Sequence, residues 1–207
     1  MDAVVIKNNI LAYDSTVEEF YENTKKLESP EIIEEFLSLV PKRGFILDIA
    51  CGPGRDSKIF SDLEYRVIGI DLSPKMIEKA KLVAPQAEFK VMNFLNPAFS
   101  DQYFDAVWFN AGLLCVEKKL AGEILKNVYR QLKEDGTLYL SVKEGAGEGF
   151  EFDYRYNVEK YYAYYQEDEI LKLLESARFK IVKSYKPQMN SSYHTHQWIG
   201  VLGQKTG

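Results

Sequence analysis

Short runs of consecutive apolar residues alternate with stretches in which apolar residues recur every third or fourth position. The runs Phe45–Ala50, Arg66–Asp71, Glu88–Met92, Phe104–Asn110 and Thr137–Lys143 predict strands. Several are apolar on successive residues, the pattern of strands covered on both faces. Helices fit between them. One starts near Arg55, and another at Ser73-Pro74, where a capping hydroxyl precedes a proline that needs no N–H partner; it stops before Pro85. A third carries Leu120, Ile124, Leu125, Val128 and Leu132 on one face, with Gly136 beyond it. Strands alternating with helices imply a parallel sheet.

The two ends differ from this middle. Residues 1–42 read as amphipathic helices. Ser15-Thr16-Val17-Glu18 fits a capping box, and Ser29-Pro30-Glu31 starts a helix bearing Ile32, Ile33, Phe36, Leu37 and Val40. At the other end a helix over Gln166–Ala177 is followed by strands Phe179–Lys186 and Gln197–Gln204. The link between these strands is too short and polar for a crossover helix, so they should pair antiparallel. No repeat or linker divides the chain. It is expected to be one domain over residues 1–207, with residues 1–42 a helical lid on a core of residues 43–207.

Composition narrows the function. The chain has 207 residues and 46% hydrophobic residues, enough for one well-filled α/β domain. Its formal charge is −5, and a net acidic surface disfavours general nucleic-acid binding. No run reaches the about eighteen apolar residues that cross a membrane, and no secretory signal is visible, so a cytoplasmic location is expected. Two cysteines, Cys51 and Cys115, suggest neither a disulfide framework nor a metal site.

The candidate chemistry sits in Ile46-Leu47-Asp48-Ile49-Ala50-Cys51-Gly52-Pro53-Gly54-Arg55-Asp56: strand, glycine turn, helix start. Asp71 ends the next strand, where an acid can hold a ribose by its hydroxyls. A dinucleotide-binding turn needs a third glycine to let helix and strand pack around a pyrophosphate, and Ser57 stands there instead. The stretch from Asp48 resembles motif I of the class I S-adenosylmethionine-dependent methyltransferases, with Ala50 where the first glycine often sits. Gly69-Ile70-Asp71-Leu72-Ser73-Pro74-Lys75-Met76 resembles motif II. Phe104–Trp108, Leu132–Leu138 and the terminal hairpin fit the same family in order.

The resemblance implies an α/β fold: a Rossmann-like, seven-stranded, mostly parallel sheet with a C-terminal antiparallel hairpin and N-terminal helices. It also implies S-adenosyl-L-methionine as cofactor and S-adenosyl-L-homocysteine as product. Carried onto this chain, Gly52 and Gly54 shape the turn against the cofactor, with Cys51 a small turn residue. Asp48 orients the turn and reaches the ammonium, and Asp71 takes both ribose hydroxyls. Leu72 and Met76 are adenine walls or core. Asn93 takes the adenine amino group, where the family often has Asp, and Phe94 offers its backbone N–H. Asn110 and Ala111 line the transferring methyl, and Leu114 closes over the cofactor. Arg55 and Tyr13 are candidates for the cofactor carboxylate.

Activation resides in such a cofactor, so the protein mainly positions two reactants. Catalytic candidates are therefore few: Asn110, Tyr154 and His194, with His196 beside the last. The acceptor site should draw on the N-terminal helices, the segment after Asn110, and the stretch after the fifth strand. That stretch begins as the glycine-rich, flexible-looking Lys143–Gly149. It continues into tyrosines (Tyr154, Tyr156, Tyr161, Tyr162, Tyr164, Tyr165) that either stack on substrate or form an edge strand. A small-molecule acceptor is expected. RNA or protein acceptors, a NAD-dependent dehydrogenase and a non-catalytic binding subunit are the alternatives. The acceptor atom and the oligomeric state are not legible.

Overall fold

The computed structural model describes residues 2–27, 29–187 and 196–206. Its strands are β1 (Phe45–Ile49), β2 (Arg66–Asp71), β3 (Glu88–Val91), β4 (Phe104–Asn110), β5 (Leu132–Lys143), β6 (Glu148–Asp153), β7 (Val158–Ala163), β8 (Phe179–Tyr185) and β9 (Trp198–Lys205). Its helices are α1 (Ala3–Ser15), α2 (Val17–Thr24), α3 (Pro30–Ser38), α4 (Arg55–Asp62), α5 (Pro74–Val83), α6 (Lys118–Gln131) and α7 (Glu167–Ser176).

Seven strands form one sheet in the order β3-β2-β1-β4-β5-β9-β8. The pairings from β3 through β5 are parallel, and β9 runs antiparallel to both β5 and β8. The expected mixed sheet and terminal hairpin are both present. Successive side chains of the central strands enter opposite cores. Leu47 and Ile49 of β1 join the cluster under α6 and α7, while Ile46 joins Phe36 of α3 and Phe60 of α4 on the other face. Strand order reverses between β1 and β4, which opens a crevice at the strands' C-terminal ends.

Local signals succeed where tertiary contacts agree with them. Ser73 caps α5, its Oγ accepting the Met76 N–H at 3.0 Å. The capping box at residues 15–18 does not form. The Ser15 and Thr16 hydroxyls instead donate to the Ala12 carbonyl, each at 2.9 Å, because α1 runs on to Ser15 and those hydroxyls serve its C-terminus. The fifth strand is also longer than expected. Leu132 leaves the helical face and pairs with Phe104.

The glycine-rich stretch is ordered by pairing. β6 and β7 form a separate hairpin, Glu148 opposite Ala163 through Asp153 opposite Val158. Tyr161 and Tyr162 of β7, and Tyr164 and Tyr165 just after it, are buried. Helix α1 is clamped to β7 through Asn9, whose Oδ1 accepts the Tyr161 N–H at 2.9 Å and whose Nδ2 donates to the Cys115 carbonyl at 3.1 Å.

The N-terminal helices do not behave as one unit. Ile32, Ile33, Phe36 and Val40 are buried with Ile46, Trp108 and Tyr139, which makes α3 and the turn after it part of the sheet's core. Val4 and Leu11 of α1 are exposed. Apolar packing welds α3 into the core, while α1 buries Val5 and Ala12 and leaves its outer face in solvent.

Candidate active site

The site grows from the end of β1. Ala50 (φ 55°), Gly52 (φ 52°) and Gly54 (φ 87°) all take left-handed backbone, so the chain turns sharply through alternate residues before α4 begins. Ala50 holds this conformation with a side chain. Gly112, after β4, makes room for it: a Cβ there would lie 2.6 Å from the Ala50 Cβ and 2.4 Å from the Phe109 ring. Gly112→Ala is accordingly expected to destabilise the fold by about 1–3 kcal/mol through overpacking, read as a lowered urea midpoint with unchanged m. A midpoint equal to wild type would contradict this packing.

Asp71 closes the turn from the neighbouring strand. Its Oδ2 accepts the Gly52 N–H at 3.0 Å and its Oδ1 the Ser73 N–H at 2.8 Å. Burial raises its pKa, against the lowering effect of these backbone donors.

Two further carboxylates lie behind the turn. Asp56 accepts from Trp108 Nε1 at 2.8 Å, Asn110 Nδ2 at 2.9 Å and Arg55 Nη2 at 2.9 Å. Burial opposes its charge, but the Arg55 guanidinium and the Asn110 and Trp108 donors outweigh burial and lower its pKa. Asp48 is 2% exposed and accepts from Ser57 Oγ at 2.6 Å. Burial, reinforced by the charge of Asp56, pushes its pKa well above the ordinary carboxylate range.

The sign of the Asp48 shift sets a pH dependence. The folded pKa lies above the unfolded one, so between them the native state binds the extra proton and stability falls as pH rises through that window. Asp48→Asn retains an acceptor for Ser57 and removes the titration. Its melting temperature relative to wild type should therefore increase from acidic to neutral pH, and parallel pH profiles would contradict this.

A cavity of about 920 Å³ spans the strand ends. Most of the sequence-derived cofactor residues line it. They are Asp48, Ala50, Cys51 and Gly52 from the turn, Arg55 from α4, Asp71 and Leu72 after β2, Met76 from α5, and Phe94. Asn110, Ala111 and Leu114 line it after β4, and Tyr13 from α1. Gly54 does not line the cavity; it lets α4 approach α5, since a Cβ would meet Ala80 at 3.0 Å.

Other candidates are placed elsewhere or already engaged. Asn93 is exposed outside the wall, its Oδ1 accepting the Leu95 N–H at 2.9 Å. Tyr154 is 87% exposed at the hairpin turn and does not line the cavity. His194 lies outside the described residues. Asn110 lines the wall, but its amide is committed to Asp56 and its Oδ1 accepts from Ser141 Oγ, so it positions neighbours. Arg55 pairs with Asp56. Burial raises the Cys51 thiol well above its usual pKa, as suits a turn residue and not a nucleophile.

Sequence reasoning missed Asp56, Trp108, Ser141 and Lys160, and within the stretch it gave to the acceptor site it did not single out Lys143, Asp153 and Arg155; all seven line the cavity. The three regions expected to supply the acceptor site do converge on it: α1 and α2, the segment after Asn110, and the β6–β7 hairpin.

The fold and this turn-centred cavity are similar to those of S-adenosylmethionine-dependent methyltransferases. Residues 46–136 match the family model described as a methyltransferase domain. Trans-aconitate 2-methyltransferase of Variovorax paradoxus is 26% identical over 119 residues, which cover 56% of this chain and 45% of that protein. The chain spans about half the length of the curated relatives it matches, 44–45% in three of them. Among solved structures, a SAM-dependent methyltransferase from Methanosarcina mazei has a TM-score of 0.76 at 25% identity, covering 84% of this chain and 97% of its own. The 1,6-didemethyltoxoflavin-N1-methyltransferase of Burkholderia thailandensis, solved with 1,6-didemethyltoxoflavin and S-adenosylhomocysteine, has a TM-score of 0.68 at 20% identity, covering 96% and 88%.

Proposed function

We propose that this protein transfers a methyl group from S-adenosyl-L-methionine to a small-molecule acceptor. The observation that carries the reading is the pairing of an open left-handed turn with an acid. Gly52 leaves its face of the cavity free, since a Cβ there would approach only the Phe20 ring, at 3.9 Å. Asp71 spends one lone pair of each oxygen on the Gly52 and Ser73 N–H groups, and each oxygen retains capacity for one hydroxyl of a vicinal diol.

The residues present fit this cofactor. Asp71 would hold the ribose, with Leu72, Met76 and Phe94 as apolar walls for the base. Gly52 and Asp48 would face the amino-acid end. Tyr13 reaches the cavity from α1, its OH 3.5 Å from Cys115 Sγ. Arg55 would act there through Asp56 as much as directly. The cofactor supplies a methyl group on a sulfonium, so that a neutral thioether leaves. The chain's own residues orient, enclose and exclude water. Helices α1 and α2 are the proposed lid, over a single domain spanning residues 1–207.

A small acceptor is favoured over RNA or protein because α1 and the β6–β7 hairpin wall the cavity and the chain is acidic. The acceptors in the names of the Variovorax and Burkholderia proteins are small molecules too. Among the described residues no helix is long and apolar enough to cross a membrane. The two free cysteines support the proposed cytoplasmic location. The test is S-adenosylhomocysteine formation when protein and cofactor meet separated metabolite, RNA and protein fractions of a cell extract. Formation with the metabolite fraction is expected. Formation only with RNA or protein would reassign the acceptor, and none with any fraction would contradict an enzyme.

A further inference from the structure

We propose that the methyl acceptor is a small organic anion and that Lys143 holds its charge; this rests on the methyl-transfer reading above. The cavity is electrostatically divided. Its turn end carries Asp48, Asp56 and Asp71 with Arg55. Its other end, formed by the end of β5 and the β6–β7 hairpin, carries Lys143, Arg155 and Lys160, with Asp153 the carboxylate those two elements contribute to the lining among the described residues and Glu151 held outside it by the Tyr164 hydroxyl.

That carboxylate is saturated. Asp153 Oδ1 accepts from Arg155 Nε at 2.9 Å, and Oδ2 accepts from Arg155 Nη2 at 2.9 Å and from the Tyr162 hydroxyl at 3.3 Å. Lys160, 1% exposed, places its Nζ 3.6 Å from the same Oδ2 and over the rings of Tyr13 and Tyr156 at 4.5 and 4.1 Å. Lys160 therefore has a counter-ion.

Lys143 has none among the described residues. It is 8% exposed and lines the cavity, yet no carboxylate lies within ion-pair distance of its ammonium. Its nearest support is the face of Tyr162, 3.7 Å from Nζ to the ring centre, with Tyr164 at 5.9 Å. A ring face is weaker than the desolvation it must offset, and buried lysines are rarely left unpaired. Burial, and then the nearby Arg155 charge, lower its pKa.

The position of Lys143 suits an acceptor. Ser141 pairs with Asn110 across β5 and β4, and Lys143 lies two residues further on, on the same face of the strand. Leu114, Tyr162 and Trp198 line the cavity around it, an apolar surface for the body of a ligand whose anionic group meets the ammonium. The volume lies at the upper end of the roughly 300–1,000 Å³ usual for small-molecule sites, room for a cofactor and a compact second ligand.

The test separates a metabolite extract on an anion-exchange resin and follows S-adenosylhomocysteine formation by wild type, Lys143→Met and Lys143→Arg. Activity should reside in the retained fraction. Lys143→Met should lower acceptor kcat/KM by at least about tenfold with S-adenosylhomocysteine affinity unchanged, and Lys143→Arg should recover part of the loss. In parallel, benzoate and citrate at constant ionic strength should raise the melting temperature of wild type, benzamide should not, and inorganic phosphate reports whether a bare anion suffices. Activity confined to the unretained fraction, or Lys143→Met equal to wild type in turnover, overturns the anionic acceptor and leaves methyl transfer standing. Benzoate or citrate stabilisation lost in Lys143→Met, without methyl transfer in any fraction, overturns the enzymatic reading and leaves the anion site.

Discussion

Asp71→Ala is expected to weaken S-adenosylhomocysteine binding by about 10- to 150-fold, the loss of charge-assisted hydrogen bonds worth roughly 1.5–3 kcal/mol. The carboxylate stands at the end of β2 with both oxygens turned to the β1 turn and the start of α5. Its pKa is raised because burial costs the charged form more than the backbone donors return. A carboxylate kept at that cost in a cavity wall is expected to serve binding as well as the turn it closes. Loss of the Gly52 and Ser73 contacts should also lower the variant's melting temperature, so affinity is compared at a temperature where both proteins are folded. Cofactor affinity of wild type should also fall as pH drops through the raised pKa, since the protonated form loses acceptor capacity. Calorimetric titration reads both. Unchanged affinity in Asp71→Ala would remove Asp71 from the site.

Phe36→Ala is expected to destabilise the protein by about 3–5 kcal/mol, the usual result of emptying a fully buried phenylalanine site. Phe36 is 0% exposed, with ring centres of Trp108 and Phe60 at 5.0 and 5.7 Å. Trp108 in turn donates to Asp56, so the same side chain that fixes α3 also supports the network behind the turn. Urea denaturation should show one cooperative transition at a much lower midpoint. Leu11→Ala, on the exposed face of α1, should stay within about 0.5 kcal/mol of wild type. A small effect at Phe36 would contradict the packing of α3 into the core.

The strands were legible because each central one is apolar on both faces, and the turn was legible because it concentrates small residues between a buried strand and a helix. Asp71 could be found by its place at a strand end. Asp56 could not: as the second residue of a helix it reads as an ordinary first-turn acid, and its partners Trp108 and Asn110 lie on another strand. The Lys143–Asp153–Lys160 cluster was hidden for the same reason, its members brought together by a hairpin whose glycine-rich start looks flexible in sequence. Asn93 and Tyr154 were placed by analogy of position and by composition. The structure turns one side chain back to its own backbone and leaves the other in solvent. Ala50 is the opposite case. It departs from the motif, and the structure accommodates it by leaving Gly112 without a side chain beside it.

The most direct test of the central claim is calorimetric titration of the wild-type protein with S-adenosylhomocysteine and, separately, with NAD. The account predicts saturable binding of S-adenosylhomocysteine at one site per chain and none of NAD. Binding of NAD without S-adenosylhomocysteine would contradict it.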